Sequence, residues 1–119
     1  MAQATILQML PQTSYNSTAV VGGVLLGERQ PAASYYLGNK DLQTVSWNLT
    51  TFTGYLTIQA SLMDNPSNTS DSDWVTVATL ALDNETRSGF QNIHGNFVWL
   101  RLRVTGFTQG VIQNVKVSY

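Results

Sequence analysis

Residues 95–119 read GNFVWLRLRVTGFTQGVIQNVKVSY, and this stretch decides the predicted fold class. Successive side chains of a β-strand point to opposite faces, and apolar residues here recur at every second position. The first run places four residues on one face (Val98, Leu100, Leu102 and Val104), and the second run does the same (Val111, Val115, Val117 and Tyr119). We therefore predict two strands joined by a glycine-bearing turn at residues 105–110.

Similar patterns occur upstream. Strands are predicted at residues 42–49, 55–62, 74–82 and 88–93, with turns at 53–54 and 83–86 and a polar loop at 63–73. The predicted inward residues are Val45, Trp47, Leu49, Leu56, Ile58, Ala60 and Leu62. Short strands separated by turn signals predict an all-β fold, an antiparallel β-sandwich of jelly-roll type.

The first forty residues differ in character from the rest of this single predicted domain. Residues 5–10 and 19–26 are strand-like, but glycines and prolines interrupt them, and residues 31–37 suit a helical turn or an extended arm. Two hypotheses remain open for residues 1–40. They form the first strands of the sandwich, or they form an arm that packs on a neighbouring subunit, while residues 41–119 form the sandwich core.

Composition narrows the classes of function. Only 11% of the 119 residues are charged, the net charge is −1, and Ser, Thr, Asn and Gln together number 42. The six basic residues are scattered, which argues against a nucleic-acid partner. The absence of cysteine excludes disulfides and thiolate chemistry. We expect no membrane span and no N-terminal signal peptide, and therefore synthesis in a cytoplasm without export by an N-terminal signal.

Catalytic motifs are missing from the sequence. The single histidine, His94, lies in a predicted turn before a strand, and no nucleophile or phosphate-loop motif accompanies it. We predict that the protein is not an enzyme and needs no cofactor. The loop carboxylates Asp64, Asp71 and Asp73 are the candidate metal ligands, but their spacing equally suits a solvated turn, which is the interpretation we favour.

One face of the penultimate predicted strand is aromatic and basic, and carries Phe97, Trp99, Arg101 and Arg103. We call it the aromatic–arginine face and predict that an arm or a neighbouring subunit covers it, with Tyr35 and Tyr36 in the same interface. The alternative is a glycan-binding surface. Its candidate contacts are Tyr55 and Trp74, and the loop at residues 64–73 is a further candidate. The wider aromatic set also includes Tyr15, Tyr35, Tyr36, Phe90 and Phe107.

Beyond the alternation pattern, four segments of the sequence resemble a known group of proteins. YLTIQASL (55–62), DWVTV (73–77), GNFVWLR (95–101) and FTQGVI (107–112) resemble small virion structural proteins and fibre-type repeats of large tailed bacteriophages that infect marine cyanobacteria. The resemblance covers about residues 42–119. A looser similarity, to galactose-binding jelly rolls, implies fold only.

The phage resemblance implies a non-enzymatic particle component present in many copies. Its expected location is the virion, as a capsid decoration or a tail, neck or fibre component, and its expected partners are other virion proteins and further copies of itself. The alternative function is a carbohydrate- or receptor-binding module of the same fold. Neither function requires a membrane or a nucleic acid as partner.

Overall fold

The computed structural model describes residues 6–36, 42–67 and 71–119, and nearly all ordered structure in them is β. The strands are β1 (Ile6–Leu10), β2 (Thr13–Ser14), β3 (Leu25–Leu26), β4 (Gln30–Pro31), β5 (Leu42–Ser61), β6 (Val75–His94) and β7 (Trp99–Ser118). A short helix, α1 (Ala33–Tyr36), precedes β5, and a 3₁₀ turn (Asp71–Asp73) precedes β6. The predicted all-β antiparallel class is confirmed, while the jelly-roll arrangement stays a prediction.

The strands form one antiparallel sheet in the order β1-β7-β5-β6. Strand β7 lies at its centre, since β5 pairs along one side of it and β1, β2, β3 and β4 pair in turn along the other. Strand β6 pairs with β5. Neighbours along the chain are therefore not always neighbours in the sheet, because β7 inserts between β1 and β5.

The predicted turns at residues 53–54, 83–86 and 105–110 are wrong, because each lies inside a continuous strand of 20 residues. A straight strand of that length would span about 66 Å at roughly 3.3 Å per residue. The longest dimension of the molecule is only 39 Å. The three long strands must therefore bend sharply, and their pairing registers shift at matching positions near the middle of each strand.

We call this bend the corner, formed by residues 50–54, 83–86 and 106–110. Positive φ angles at Thr51 (48°), Asn84 (53°) and Gly110 (90°) mark bulges that turn the chain. A Cβ at Gly110 would overlap the carbonyl oxygens of Thr50 and Thr51, so only glycine fits there. The Thr51 amide donates to Thr86 Oγ1 over 2.8 Å, which joins β5 to β6 at the corner.

The buried side chains on both sides of the corner belong to one hydrophobic core. In β5 the predicted inward residues up to Ala60 are buried, whereas Leu62 is 66% exposed because β5 ends at Ser61. In β7 the predicted set is confirmed for Leu100, Leu102, Val104, Val115 and Val117. Ile112 replaces Val111 in the core, because the corner bulges shift the alternation by one residue.

The described part of the first forty residues belongs to the same sheet. Met9, Leu10, Leu25 and Ala32 are each no more than 3% exposed and pack in the common core. Since β1 to β4 all pair with β7, these residues occupy the position of strands within their own chain. Packing of this segment on a neighbouring subunit stays a prediction.

Candidate functional site

The chain itself covers much of the aromatic–arginine face. Arg101 is completely buried, and its Nε donates a 2.7 Å hydrogen bond to Oε1 of Gln59, a neighbour on β5. Its guanidinium lies 4.8 Å from the ring centroid of Trp74, the residue before β6, and this contact is a cation–π interaction. The cover therefore comes from the segment that leads into β6.

A second cluster surrounds Trp99. Arg29 lies over the Trp99 ring at 4.5 Å, and the Tyr35 ring meets it edge-on at 4.9 Å between centroids. The Trp99 Nε1 donates to the carbonyl oxygen of Asp64 over 3.1 Å, and Arg29 donates to the carbonyl oxygen of Pro66 over 2.6 Å. Trp99 thus ties the polar loop and the segment around α1 to the beginning of β7.

These contacts change what the predicted interface residues can do. Arg101 lies in the interior, so it cannot touch a partner in this conformation. Phe97, Trp99 and Arg103 are partly buried, and Tyr35 remains 43% exposed. The side chain of Tyr36 lies outside the described residues. A role in assembly for this face stays a prediction, and it is restricted to the residues at its margin.

The predicted glycan contacts do not form one platform. Trp74 is only 7% exposed, and its Nε1 donates to the Ser67 carbonyl oxygen over 2.7 Å, so its ring offers little stacking surface. Phe107 packs in the core against Phe52. The rings of Tyr15, Tyr55 and Phe90 are each about half exposed or more, but Tyr55 and Phe90 lie on opposite sides of the corner.

The loop carboxylates are placed for structural roles. Asp73 Oδ2 accepts a 2.7 Å hydrogen bond from the Ser67 amide, which closes the loop before β6. Asp64 uses its backbone carbonyl to hold Trp99, and the side chain of Asp71 lies outside the described residues. Within the described ranges, no three His, Cys, Asp or Glu side chains gather where they could hold a metal ion.

The outer edge of β6 is the most distinctive surface. Strand β6 pairs with β5 on one side, and no segment within residues 6–36, 42–67 and 71–119 pairs along its other side. Its charged residues, Asp83, Glu85 and Arg87, lie together at its centre, while residues 75–82 and 88–94 carry no formal charge. Val75 and Phe90 on this strand are 57% and 66% exposed. We call this surface the β6 edge.

Away from its centre, the β6 edge lacks the usual protection of exposed strands. Soluble proteins commonly place lysine or proline on an edge strand, or keep it short, because its free N–H and C=O groups invite pairing with other chains. Strand β6 has 20 residues and neither of those residue types, although the bulge at Asn84 interrupts it. The absence of charged residues from 75–82 is visible in the sequence. The position of β6 at the edge is not, because the alternation pattern does not determine strand order.

A cavity of about 260 Å³ opens near the sheet edge opposite β6, between β1 and the segment that contains β3 and β4. Apolar residues such as Leu10 and Leu25 line it together with the polar side chains of Gln8, Glu28 and Gln30. Pockets for drug-sized ligands usually measure about 300–1,000 Å³. At about 260 Å³ this cavity lies just below that range, and we assign it no ligand.

No protein-family model matches this chain, and no curated protein matches it at a significant level. In the part of the chain that the structure describes, no helix is long and apolar enough to cross a membrane.

Proposed function

We propose that this chain is a non-enzymatic structural protein that assembles with protein partners through the β6 edge. The assembly we propose is a bacteriophage virion, in keeping with the sequence resemblance. The observation that carries the proposal is the β6 edge, which presents 20 consecutive residues of strand with one unpaired side in the described structure.

Backbone pairing at such an edge supplies many hydrogen bonds with little desolvation of charge. An added strand satisfies the free N–H and C=O groups, and side chains at alternate positions determine which strand fits. Residues 75–82 and 88–94 carry no formal charge, so no ion has to be stripped of water when these parts of the edge are covered. This chemistry suits a protein that is permanently in contact with its neighbours.

The distribution of basic residues supports a protein partner over a nucleic acid. Arg101 and Arg103 are the closest pair of arginines in the sequence, yet Arg101 is fully buried and Arg103 is partly buried. An exposed basic stripe that could neutralise successive phosphates is absent from the described residues. Other virion proteins and further copies of this chain are therefore the proposed partners, in the capsid or in the tail, neck or fibre.

A carbohydrate- or receptor-binding module is the second candidate function. It is favoured by Tyr55, which is 50% exposed on the outer face of β5 and has Gly106 beside its ring. An exposed aromatic ring can stack on a sugar, but a single ring of this kind provides only weak binding. We therefore place this function second.

The test of the proposed function uses particles purified from cells that make the protein during phage production. We expect mass spectrometry to find the chain in the particles and cryo-electron microscopy to locate it there. Thr79→Lys adds a charge to the exposed β6 edge and should reduce incorporation at least tenfold, whereas Thr108→Lys, exposed on β7, should not. A monomer that is absent from particles and binds a sugar in calorimetry would contradict the proposal.

A further inference from the structure

We propose that the partner at the β6 edge is a second copy of this chain, paired antiparallel about a two-fold axis at Thr86. Glu85 of each copy then lies opposite Arg87 of the other. This inference rests on the proposed function only in taking the β6 edge as the assembly surface. It adds the identity of the partner and the register of the pairing.

The charges of β6 select this register. A two-fold axis at Thr86 forms two Glu85–Arg87 pairs across the interface and brings no like charges into direct opposition. An axis at residue 85 would form two Asp83–Arg87 pairs but would also place Glu85 opposite itself, and an axis at residue 87 would place Arg87 opposite itself. An axis at residue 84 would oppose Asp83 and Glu85. Axes that fall between two successive residues of the segment 84–87 form no opposite-charge pair.

Within one chain, Glu85 and Arg87 are already held on the same side of β6. Arg87 Nε lies 4.0 Å from Glu85 Oε2. The Arg87 side chain is 51% exposed and the Glu85 side chain is 42% exposed. A contact this long and this exposed contributes little to the stability of the monomer. Both side chains therefore remain available to form the pairs across the two-fold axis.

The shape of β6 is also self-complementary. The corner lies near the middle of the strand, so an axis at Thr86 places the corner of one copy beside the corner of the other. The uncharged residues 75–82 then run beside the partner's residues 88–94, with one-residue shifts at the Asn84 bulge and at Val77, where the pairing of β6 with β5 is also irregular. The two sheets become one continuous sheet, in which both β6 edges are covered.

Complementary charge variants test the partner. Glu85→Arg and Arg87→Glu each place like charges opposite one another in a homodimer, so each variant alone should dimerise about tenfold more weakly than the parent chain. An equimolar mixture should form a heterodimer of near-parental affinity, because each arginine of the first variant then faces a glutamate of the second. Sedimentation equilibrium and native mass spectrometry at low salt measure both affinities.

The double variant Glu85→Arg/Arg87→Glu is the matched control, because it restores opposite charges in the homodimer. It should dimerise like the parent chain. Urea unfolding of each variant checks that the fold is retained. A parent chain that stays monomeric up to millimolar concentration, or single variants that dimerise as tightly as the parent, would overturn the proposal. A heterodimer no tighter than the variant homodimers would also overturn it.

Cysteine cross-linking tests the register, since the parent chain contains no cysteine. Thr86→Cys places two thiols opposite one another at the axis, so mild oxidation should give a covalent dimer. Ser88→Cys places its thiols about four residues, or roughly 13 Å, apart along the strands. That separation exceeds the ~7 Å Cα–Cα limit of a disulfide, so little dimer should form. Equal cross-linking at both positions would contradict this register.

These measurements separate failure of the inference from failure of the proposed function. A monomer in solution that is nevertheless found on particles would refute the second copy and leave assembly with another virion protein intact. A dimer with the predicted charge dependence that is absent from particles would support the β6 pairing and refute the virion function.

Discussion

At the scale of single residues, Arg101 shows how far alternation alone can predict an environment. The pattern of β7 correctly placed Arg101 on the face opposite Leu100 and Leu102, but it could not reveal what lies on that face. The polar loop returns to the sheet and brings Trp74 over the guanidinium. Contacts between segments so far apart in the sequence depend on the path of a loop, which carries no periodic signal.

The environment of Arg101 leads to a prediction about stability. Arg101→Met should lower the free energy of unfolding by about 2–3 kcal/mol, because it leaves the buried Gln59 Oε1 without its 2.7 Å donor. Adding Gln59→Leu should recover part of that loss, since both polar groups are then replaced. Urea denaturation measures the effect, with Lys116→Met on the exposed surface as the control.

The outcome discriminates between two roles of the buried arginine. If Arg101→Met and Gln59→Leu act additively, the hydrogen bond between them contributes nothing to stability, and the packing of Arg101 on Trp74 would be the main interaction. If the double variant loses less stability than the sum of the two single losses, the two residues are coupled.

At the scale of elements, the three long strands explain why the predicted turns were wrong. Glycine combined with a shift in alternation indicates a hairpin turn in an isolated stretch of sequence, and the same signal marks a bulge in a continuous strand. The difference depends on whether the neighbouring strands bend at the same place. Gly54, Asn84 and Gly110 lie in three strands that meet only in the folded sheet.

Thr51 provides a test of the corner. Its φ of 48° is unfavourable for a β-branched residue and costs about 1–2 kcal/mol relative to an ordinary strand conformation. Thr51→Gly should therefore raise the free energy of unfolding by about 0.5–1 kcal/mol, after allowance for the greater entropy of glycine in the unfolded chain. The backbone amide that donates to Thr86 is kept in this variant.

Thr57→Gly serves as the matched control, because Thr57 pairs with both neighbouring strands, opposite Thr79 and Arg103, and has no positive φ. It should lower stability by up to about 1 kcal/mol. Urea denaturation of the two variants and the parent gives both values under one set of conditions. Equal losses in the two variants would show that Thr51 is not strained in solution.

At the scale of the whole molecule, β7 joins the first four strands, β1 to β4, to the long strands β5 and β6. The alternation predicted the buried apolar residues of β5 and β7 except Phe52, Phe107 and Ile112, which lie at or beside the corner, and it predicted the antiparallel class. It did not predict that β1 to β4 pair with β7, or that β6 lies at an edge. Strand order depends on long-range pairing, so the candidate assembly surface became visible only in the folded sheet.

The position of β7 predicts that residues 42–119 do not fold alone. Their separation from residues 1–41 exposes one side of β7 and removes Met9, Leu10 and Leu25 from the core. Each of these side chains contributes about 1.5–3 kcal/mol when buried, and their sum approaches the total stability of a domain of this size. The 42–119 fragment should therefore lose its cooperative urea transition and the near-ultraviolet circular dichroism of its three tryptophans.

A peptide of residues 1–41 added to the fragment should restore both signals, whereas a peptide of the same composition in scrambled order should not. Recovery by the native peptide would show that the first strands complete the sheet through specific pairing with β7. A 42–119 fragment that unfolds cooperatively at the parental urea concentration would contradict this prediction. In that case, residues 1–41 would be an arm outside the folding unit, free to pack on a neighbouring subunit as the second sequence-based hypothesis holds.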